Sequence, residues 1–302
     1  MSILLSAITP RFATQVSDMQ VTSFADGKPL SSTQRKSIAF VGSRVRCLVG
    51  WTGLAIVEGY NTGDWLHGQL DALSQEDPSL QVLIESLTNS ATLQFAMLRT
   101  IDKRCAFSLA GWFQVLPDQY AMFAAEISNY EVYPWQLSSS HSVRFQYAVT
   151  TQKRPSKHPY VLTVSGDERT SQELPLYTRG IRGLLKRRVG IDFVSGACRQ
   201  MAEAVSARQS KKKEKDSRYV KTVGDSQLTV EMAVDGSVNS FSSKDGIITH
   251  SLPADVICPV ITTKDMQVNR SVDADGTIRL NIKGWIKTSR PNIAMVVPGV
   301  AS

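Results

Sequence analysis

Strand-like and helix-like segments of this chain come in blocks instead of alternating one by one. Short apolar runs that predict strands occupy residues 2–53, and apolar residues at steps of three and four predict helices over residues 54–101. Strand-like runs return from residue 104, a second helical block follows Pro175, and further strands end the chain. Runs of strands separated by runs of helices predict a layered α+β fold and not the βαβ order of a nucleotide-binding fold.

Each helical block carries one apolar face. The first block predicts a glycine-interrupted helix over residues 52–75 and a more regular helix that starts at Asp77-Pro78-Ser79. The second block predicts a further helix after Pro175. The residues expected to face the core are Leu80, Leu83, Ile84, Leu87, Ala91, Phe95 and Leu98 in the first block and Val194, Ala197, Cys198, Met201, Ala204 and Val205 in the second.

The C-terminal part of the chain differs in composition from the rest. Residues 243–302 are polar, rich in Ser, Thr, Asp and Val, and contain four prolines. We therefore expect a main domain over residues 1–242 and a small β-rich extension over residues 243–302. No stretch reaches the roughly 18 to 20 apolar residues of a membrane helix, and the start of the sequence has no secretory signal pattern. We expect a cytoplasmic protein without a membrane partner.

Positive charge is concentrated in one segment. Residues 179–218 contain twelve Lys or Arg and four Asp or Glu, whereas the whole chain has a net charge of +7. Such a segment is either a solvated helix end with its loop or a site for a polyanion. Phe193 is the one aromatic residue in it, and residues 211–216 mix both signs of charge. Nucleic acid is therefore not the expected partner.

The sequence gives no sign of a metal or a cofactor. The four cysteines and four histidines are widely spaced, and no CxxC pair is present. Neither GxGxxG nor GxxxxGK[ST] occurs. We therefore expect no cofactor, no metal site and four buried free thiols, at Cys47, Cys105, Cys198 and Cys258.

The first residues combine a small polar side chain with an immediate strand. Ser2 follows Met1, and strand-like runs cover residues 2–9 and 12–17, followed by Asp18. Removal of Met1, which a small second residue permits, leaves Ser2 with a free α-amine of pKa about 8. Such an amine can take the proton of its own hydroxyl near neutral pH, which is how an N-terminal nucleophile is activated.

The stretch from Ser2 to Gly53 resembles the start of a proteasome β-subunit. That family opens with a nucleophile on a strand, a second strand that ends in D-x-R-x-T, a lysine that opens a third strand, and an aG motif that ends the fourth. This sequence has Ser2, Asp18, Thr22, Lys36 and Gly53 in the same order. The resemblance covers about residues 2–242, and it implies a four-layer αββα sandwich of the N-terminal-nucleophile (Ntn) hydrolase type.

The resemblance also implies roles for single residues. Lys36 would favour the neutral form of the α-amine and stabilise a developing oxyanion, and Asp18 would orient Lys36. The backbone N–H of Gly53 would donate to the oxyanion. Ser165, within Val164-Ser165-Gly166, resembles the family's supporting serine. The implied reaction is hydrolysis of a peptide or amide bond, in a subunit that can assemble into a homo-oligomeric ring.

Several positions depart from the family pattern. Gln20 replaces the arginine of D-x-R, and serine replaces the usual threonine nucleophile. A longer loop precedes Lys36, so Arg35 competes for its role. Residues 221–223 lack the supporting aspartate and serine of the family. These departures leave open a catalytically inactive, structural or assembly protein with the same fold.

Overall fold

The computed structural model contains two β-sheets, three short strand pairs and four helices among the residues it describes. Its architecture is therefore a mixed α+β fold, in agreement with the block order of the sequence. The described residues are 3–22, 29–31, 34–57, 59–100, 102–116, 119–132, 136–137, 144–151, 159–166, 175–216, 221, 223–234, 236–245, 247–249, 258–264, 267–272 and 278–283.

The strands and helices are numbered here in chain order. The strands are β1 (Ile3–Ile8), β2 (Phe12–Asp18), β3 (Val21–Thr22), β4 (Pro29–Ser31), β5 (Ser37–Val41), β6 (Val45–Gly53), β7 (Ile56–Val57), β8 (Tyr60–Asn61), β9 (Cys105–Leu116), β10 (Gln119–Ser128), β11 (Glu131–Val132), β12 (Gln136–Leu137), β13 (Gln146–Thr151), β14 (Val161–Gly166), β15 (Ser226–Ala233), β16 (Val238–Lys244), β17 (Ile247–Thr249), β18 (Val260–Thr262), β19 (Gln267–Val272) and β20 (Ile278–Lys283). The helices are α1 (Thr62–Ser74), α2 (Leu80–Met97), α3 (Pro175–Lys186) and α4 (Ile191–Lys215).

The first sheet has eight strands and is antiparallel throughout. Its order is β14-β1-β2-β15-β16-β20-β19, and β17 pairs with β16 beside this path. The predicted opening hairpin is present, since β1 and β2 pair from Leu4↔Ser17 to Ile8↔Ala13. Asp18 lies opposite Gln227 of β15, so the end of β2 lies inside the sheet and not at its border.

The second sheet has six strands in the order β13-β10-β9-β6-β5-β18. Its pairs are antiparallel except for β18, which runs parallel to β5. The predicted β5–β6 hairpin forms, with Ser37 opposite Gly50 and Val41 opposite Arg46. Strands from residues 258–283 thus belong to both sheets. Strand β18 pairs with β5 of the second sheet, and β20 pairs with β16 of the first sheet. The division into a main domain and a C-terminal extension stays a prediction.

Three apolar clusters connect these elements. One joins α1 and α2 to the second sheet, a second contains residues of both sheets, and a third joins α3 and α4 to the first sheet. Burial of such side chains contributes roughly 1.5 to 3 kcal/mol for each large apolar residue. Representative members are Phe40, Leu83, Phe95 and Phe107 in the first cluster, Ile8, Leu48, Trp112 and Met232 in the second, and Leu5, Val16, Ile181 and Met201 in the third.

Helix α1 is shorter than the sequence predicted. It begins at Thr62 and not near residue 52, because β7 and β8 form a small hairpin around Gly59, which has φ +78°. The side chain of Asn61 accepts from the backbone N–H of Gly63 and caps the helix. The start of α2 agrees with its prediction, since Ser79 is the capping residue. None of the described helices is both long and apolar enough to cross a membrane.

Candidate active site

A buried ion pair joins the two sheets. Asp18 is the last residue of β2, and Lys36 directly precedes β5. Lys36 Nζ lies 3.1 Å from Asp18 Oδ2, and the two side chains are 1% and 0% exposed. Taking both charges out of water costs several kcal/mol for each ion, on the order of what their attraction returns, unless further hydrogen bonds satisfy them. The surroundings of this pair therefore decide whether it is stable.

Four donors from different parts of the chain satisfy the Asp18 carboxylate. Its Oδ1 accepts from the backbone N–H of Ile3 at 3.0 Å. Its Oδ2 accepts from Lys36 Nζ at 3.1 Å, from the backbone N–H of Gln20 at 3.2 Å and from that of Gly224 at 3.3 Å. Each of these bonds stabilises negative charge on Asp18. Asp18 is thus held as an acceptor that faces the first residue of β1.

Lys36 is held as firmly as its partner. Its Nζ also donates to the backbone oxygen of Gln20 at 2.5 Å and lies 5.9 Å from the ring centroid of Trp51, within cation–π range. Burial lowers the pKa of Lys36 from its usual value, and the charge and hydrogen bond of Asp18 oppose this shift. A lysine with a lowered pKa in a fixed position is a candidate for charge stabilisation or proton transfer.

Lys36, and not Arg35, is the partner of Asp18 in the described part of the chain. Lys36 is buried, whereas Arg35 is partly exposed. Ser2 lies outside the described residues. The described neighbour of Ser2 is Ile3, whose amide nitrogen makes the bond to Asp18 Oδ1.

Gly53 ends β6 in a conformation that requires glycine. Its φ is +103°, and a Cβ added there would lie 2.2 Å from the backbone oxygen of Arg104. No hydrogen bond among the described residues joins Gly53 to Asp18 or Lys36. Its link to the pair is indirect: the backbone N–H of Trp51, two residues earlier, donates to the backbone oxygen of Lys36 at 3.1 Å.

Ser165 lies beside the start of the first strand. It is buried in β14 opposite Leu4, and the next residue, Gly166, lies opposite Ile3. Its hydroxyl has no hydrogen-bond partner among the described residues. Ser165 therefore makes no hydrogen bond to Asp18, and within the described part of the chain its hydroxyl is an unpaired polar group next to the N-terminal end of β1.

Two residues bond to the buried pair through backbone groups to which the sequence had assigned no role. Gln20 was noted as a departure from D-x-R, yet its backbone bonds both members of the ion pair. Gly224 donates to Asp18 from 206 positions away in the sequence. A Cβ added at Gly224 would lie 2.6 Å from Cβ of Gln20, so this approach requires glycine. No local pattern could have revealed either backbone contact.

A cysteine nucleophile and a metal site have less support among the described residues. The four cysteines are free and buried, as predicted, and burial raises the pKa of Cys198 and of Cys258 to about 12. These two thiols are therefore not nucleophiles near neutral pH. Among the described residues, no group of three His, Cys, Asp or Glu side chains could hold a metal ion.

One described cavity lies away from the ion pair. It has a volume of about 340 Å³ and opens between the start of α2 and strands β9 and β13, with Arg44, Ile84, Phe113 and Tyr147 among its lining residues. Its lining contains an arginine but no carboxylate, histidine, lysine or cysteine. Tyr147 is the one side chain of its lining that could take part in proton transfer.

No protein-family model matches the sequence, and no curated protein matches it. Among solved structures the chain is similar to Anbu (ancestral beta-subunit) from Yersinia bercovieri. The TM-score is 0.41 and the sequence identity 13%, over 76% of this chain and 80% of that chain. A similarity of this size assigns neither a fold nor an activity, so a function has to be inferred from the geometry at Asp18 and Lys36.

Proposed function

We propose that the protein is an N-terminal-nucleophile hydrolase that cleaves peptide or amide bonds, with Ser2 as the nucleophile after removal of Met1. One observation carries this proposal: Asp18 binds both the ammonium of Lys36 and the amide N–H of Ile3. The Ile3 nitrogen is covalently bonded to the carbonyl carbon of Ser2. The buried pair is thus connected to the residue next to the proposed nucleophile.

The proposed reaction has two halves. The α-amine of Ser2 takes the hydroxyl proton while Oγ attacks the substrate carbonyl carbon. The ammonium of Lys36 and the N–H of Gly53 stabilise the oxyanion. The amine then gives its proton to the leaving nitrogen as the C–N bond breaks, which leaves an ester on Ser2. Water attacks this ester with the amine as base, and the Ser2 hydroxyl is regenerated.

Lys36 and Ser165 have supporting roles in this scheme. A positive charge at Lys36 favours the neutral, basic form of a nearby α-amine, and Asp18 keeps Lys36 charged and oriented. The unpaired hydroxyl of Ser165, next to the start of β1, is proposed as a hydrogen-bond partner for the N-terminal group. A buried hydroxyl without a partner costs free energy, which such a bond would offset.

The fold expected for this class is part of the proposal. We infer that the three apolar clusters stack the elements as α1 and α2, the second sheet, the first sheet, and then α3 and α4. This is the αββα order of an Ntn hydrolase. In this order the end of β2 would face the start of β5. The bond between Asp18 and Lys36 agrees with that arrangement. Assembly into a ring stays a prediction.

A second candidate is an inactive structural or assembly protein. The absence of the family's supporting aspartate and serine from residues 221–223 favours this alternative. The backbone oxygen of Lys221 instead accepts a bond from the side chain of Gln20. In this alternative the buried pair would serve only to hold the two sheets together.

Covalent labelling distinguishes the two candidates. Intact mass should first show loss of Met1, and a peptide epoxyketone should then add to the wild-type chain at Ser2. Ser2→Ala should remain unlabelled, and Ser90→Ala in α2 serves as the matched control and should label normally. Retention of Met1, or equal labelling of Ser2→Ala, would sink the hydrolase proposal and leave the structural role.

A further inference from the structure

The Gly224 donor to Asp18 depends on a segment that helix α4 holds. Gly224 lies just before β15 and reaches Asp18 Oδ2 through its backbone N–H. A backbone donor cannot be oriented by a side chain of its own. Its position therefore depends on the hydrogen bonds that fix residues 223–225.

Two buried side chains of α4 make these bonds. Gln209 Oε1 accepts from the backbone N–H of Val223 at 2.9 Å. Ser206 Oγ lies 2.7 Å from Asp225 Oδ1 and 3.3 Å from the backbone oxygen of Val223, and both are acceptors for its hydroxyl. Ser206 and Gln209 are 2% and 4% exposed. They fix the residues on both sides of Gly224.

A second set of hydrogen bonds, made by Lys221 and Gln20, also holds this segment in place. Lys221 Nζ donates to Asp225 Oδ1 at 2.5 Å and to Ser210 Oγ at 2.8 Å. The side chain of Gln20 donates to the backbone oxygen of Lys221 at 3.3 Å. Since the backbone oxygen of Gln20 also accepts from Lys36, the segment contacts Asp18 directly through Gly224 and is linked to Lys36 through Gln20.

We infer that Ser206 and Gln209 of α4 are positioning residues for the candidate active site, acting through Gly224 on Asp18. This inference rests on the proposed function for its catalytic consequence. It adds to that proposal a dependence of the Asp18 geometry on one face of α4.

Paired substitutions test it. Gln209→Leu removes the acceptor for Val223, whereas Gln209→Glu keeps an acceptor. Ser206→Ala removes the donor, and Ser206→Thr keeps it. The Leu and Ala variants should lower the rate constant of epoxyketone labelling at Ser2 roughly 10- to 100-fold, the effect of a misplacement of about 1 Å. The apparent affinity for the probe should not change. The Glu and Thr variants should recover most of the rate.

Hydrogen exchange of the Gly224 amide gives a readout that needs no activity. Gln209→Leu and Ser206→Ala should speed this exchange at least tenfold, while Gln200→Leu on the exposed side of α4 should leave it unchanged. Faster exchange without Ser2 labelling in any variant, wild type included, would reject the hydrolase but keep the positioning of Gly224. Wild-type labelling rates and unchanged exchange in both variants would overturn the inference and leave the hydrolase intact.

Discussion

Two carboxylate–cation pairs of this protein lie in very different surroundings. Asp18 and Lys36 are almost fully buried, whereas Asp102 and Arg104 are 23% and 30% exposed. Arg104 reaches both oxygens of Asp102, with Nε at 2.9 Å from Oδ1 and Nη2 at 2.6 Å from Oδ2. Asp18 and Lys36, which share a single side-chain hydrogen bond, are thus the pair that is removed from water. The partly exposed pair is the easier one to form.

The difference indicates what each pair is for. Asp102 and Arg104 are two residues apart, so holding them together needs little tertiary structure. Asp18 and Lys36 come from two sheets, and the desolvation cost of their burial is offset only where the surrounding backbone supplies further hydrogen bonds. A buried charge pair with a lysine of lowered pKa is typical of a functional site. The Asp18–Lys36 pair is therefore where we place the proposed chemistry, and the Asp102–Arg104 pair has no role in that proposal.

The largest effect is expected when the buried pair is broken. Asp18→Asn removes the charge that compensates Lys36 and should lower the free energy of unfolding by about 3 to 5 kcal/mol. Asp102→Asn should cost less than about 1 kcal/mol. Urea denaturation at neutral pH measures both. Equal losses in the two variants would contradict the contrast drawn between the pairs.

Part of this site could be predicted from the sequence: local spacing places Asp18 and Lys36 at strand ends, and the family resemblance implied that they pair. Asp18 ends the first hairpin and Lys36 precedes the second, so two short-range patterns place both residues at strand ends. Gly224 could not be predicted, because β2 and β15 pair across more than two hundred residues and nothing local encodes that register. The backbone role of Gln20 could not be predicted either, because almost every residue type supplies a backbone N–H and C=O.

For the fold, too, short-range features could be predicted from the sequence and long-range pairing could not. The β1–β2 and β5–β6 hairpins and the start of α2 depend on turn and cap residues close in sequence, and these predictions are confirmed. The start of α1 was wrong because pairing of β7 with β8 overrides a helical pattern up to Asn61. Sheet order needs contacts between distant strands, which periodicity does not contain.

The Gly224 donor of Asp18 can be displaced without changing any charge. In Gly224→Ala the new methyl group meets Cβ of Gln20 at 2.6 Å, which should cost about 1 to 3 kcal/mol of stability and slow Ser2 labelling. Gly68→Ala in α1 is the matched control, because a Cβ there meets nothing within 4 Å. It should stabilise the protein by about 0.5 to 1 kcal/mol. Loss of stability in both variants would point to a general intolerance of alanine.

The pH dependence of labelling probes the charge of Lys36. Since burial lowers the pKa of Lys36, its charge should be lost at a lower pH than in an unfolded chain, and labelling of Ser2 should fall as pH rises through that pKa. In Lys36→Arg the guanidinium stays charged, so the fall should move to higher pH. An identical fall in both proteins would assign it to another group.

Stability should change in the opposite direction over the same range of pH. Between the lowered pKa of folded Lys36 and its pKa in the unfolded chain, the unfolded state binds more protons. The free energy of unfolding therefore rises with pH there. Urea denaturation across this range measures the rise, and Lys36→Met, which has no proton to lose at this position, should lack it.

The smallest effect is expected from salt on the partly exposed pair, Asp102 and Arg104. At low ionic strength the cost of Asp102→Asn should be about 0.2 to 1 kcal/mol, and in 1 M NaCl, where the screening length is about 3 Å, it should approach zero. The cost of Asp18→Asn should stay nearly the same, because ions do not reach a pair that is 0% and 1% exposed. Urea denaturation of both variants at the two salt concentrations measures this difference. A strong salt dependence of the Asp18→Asn cost would mean that the Asp18–Lys36 pair is open to solvent, and the contrast between the two pairs would then disappear.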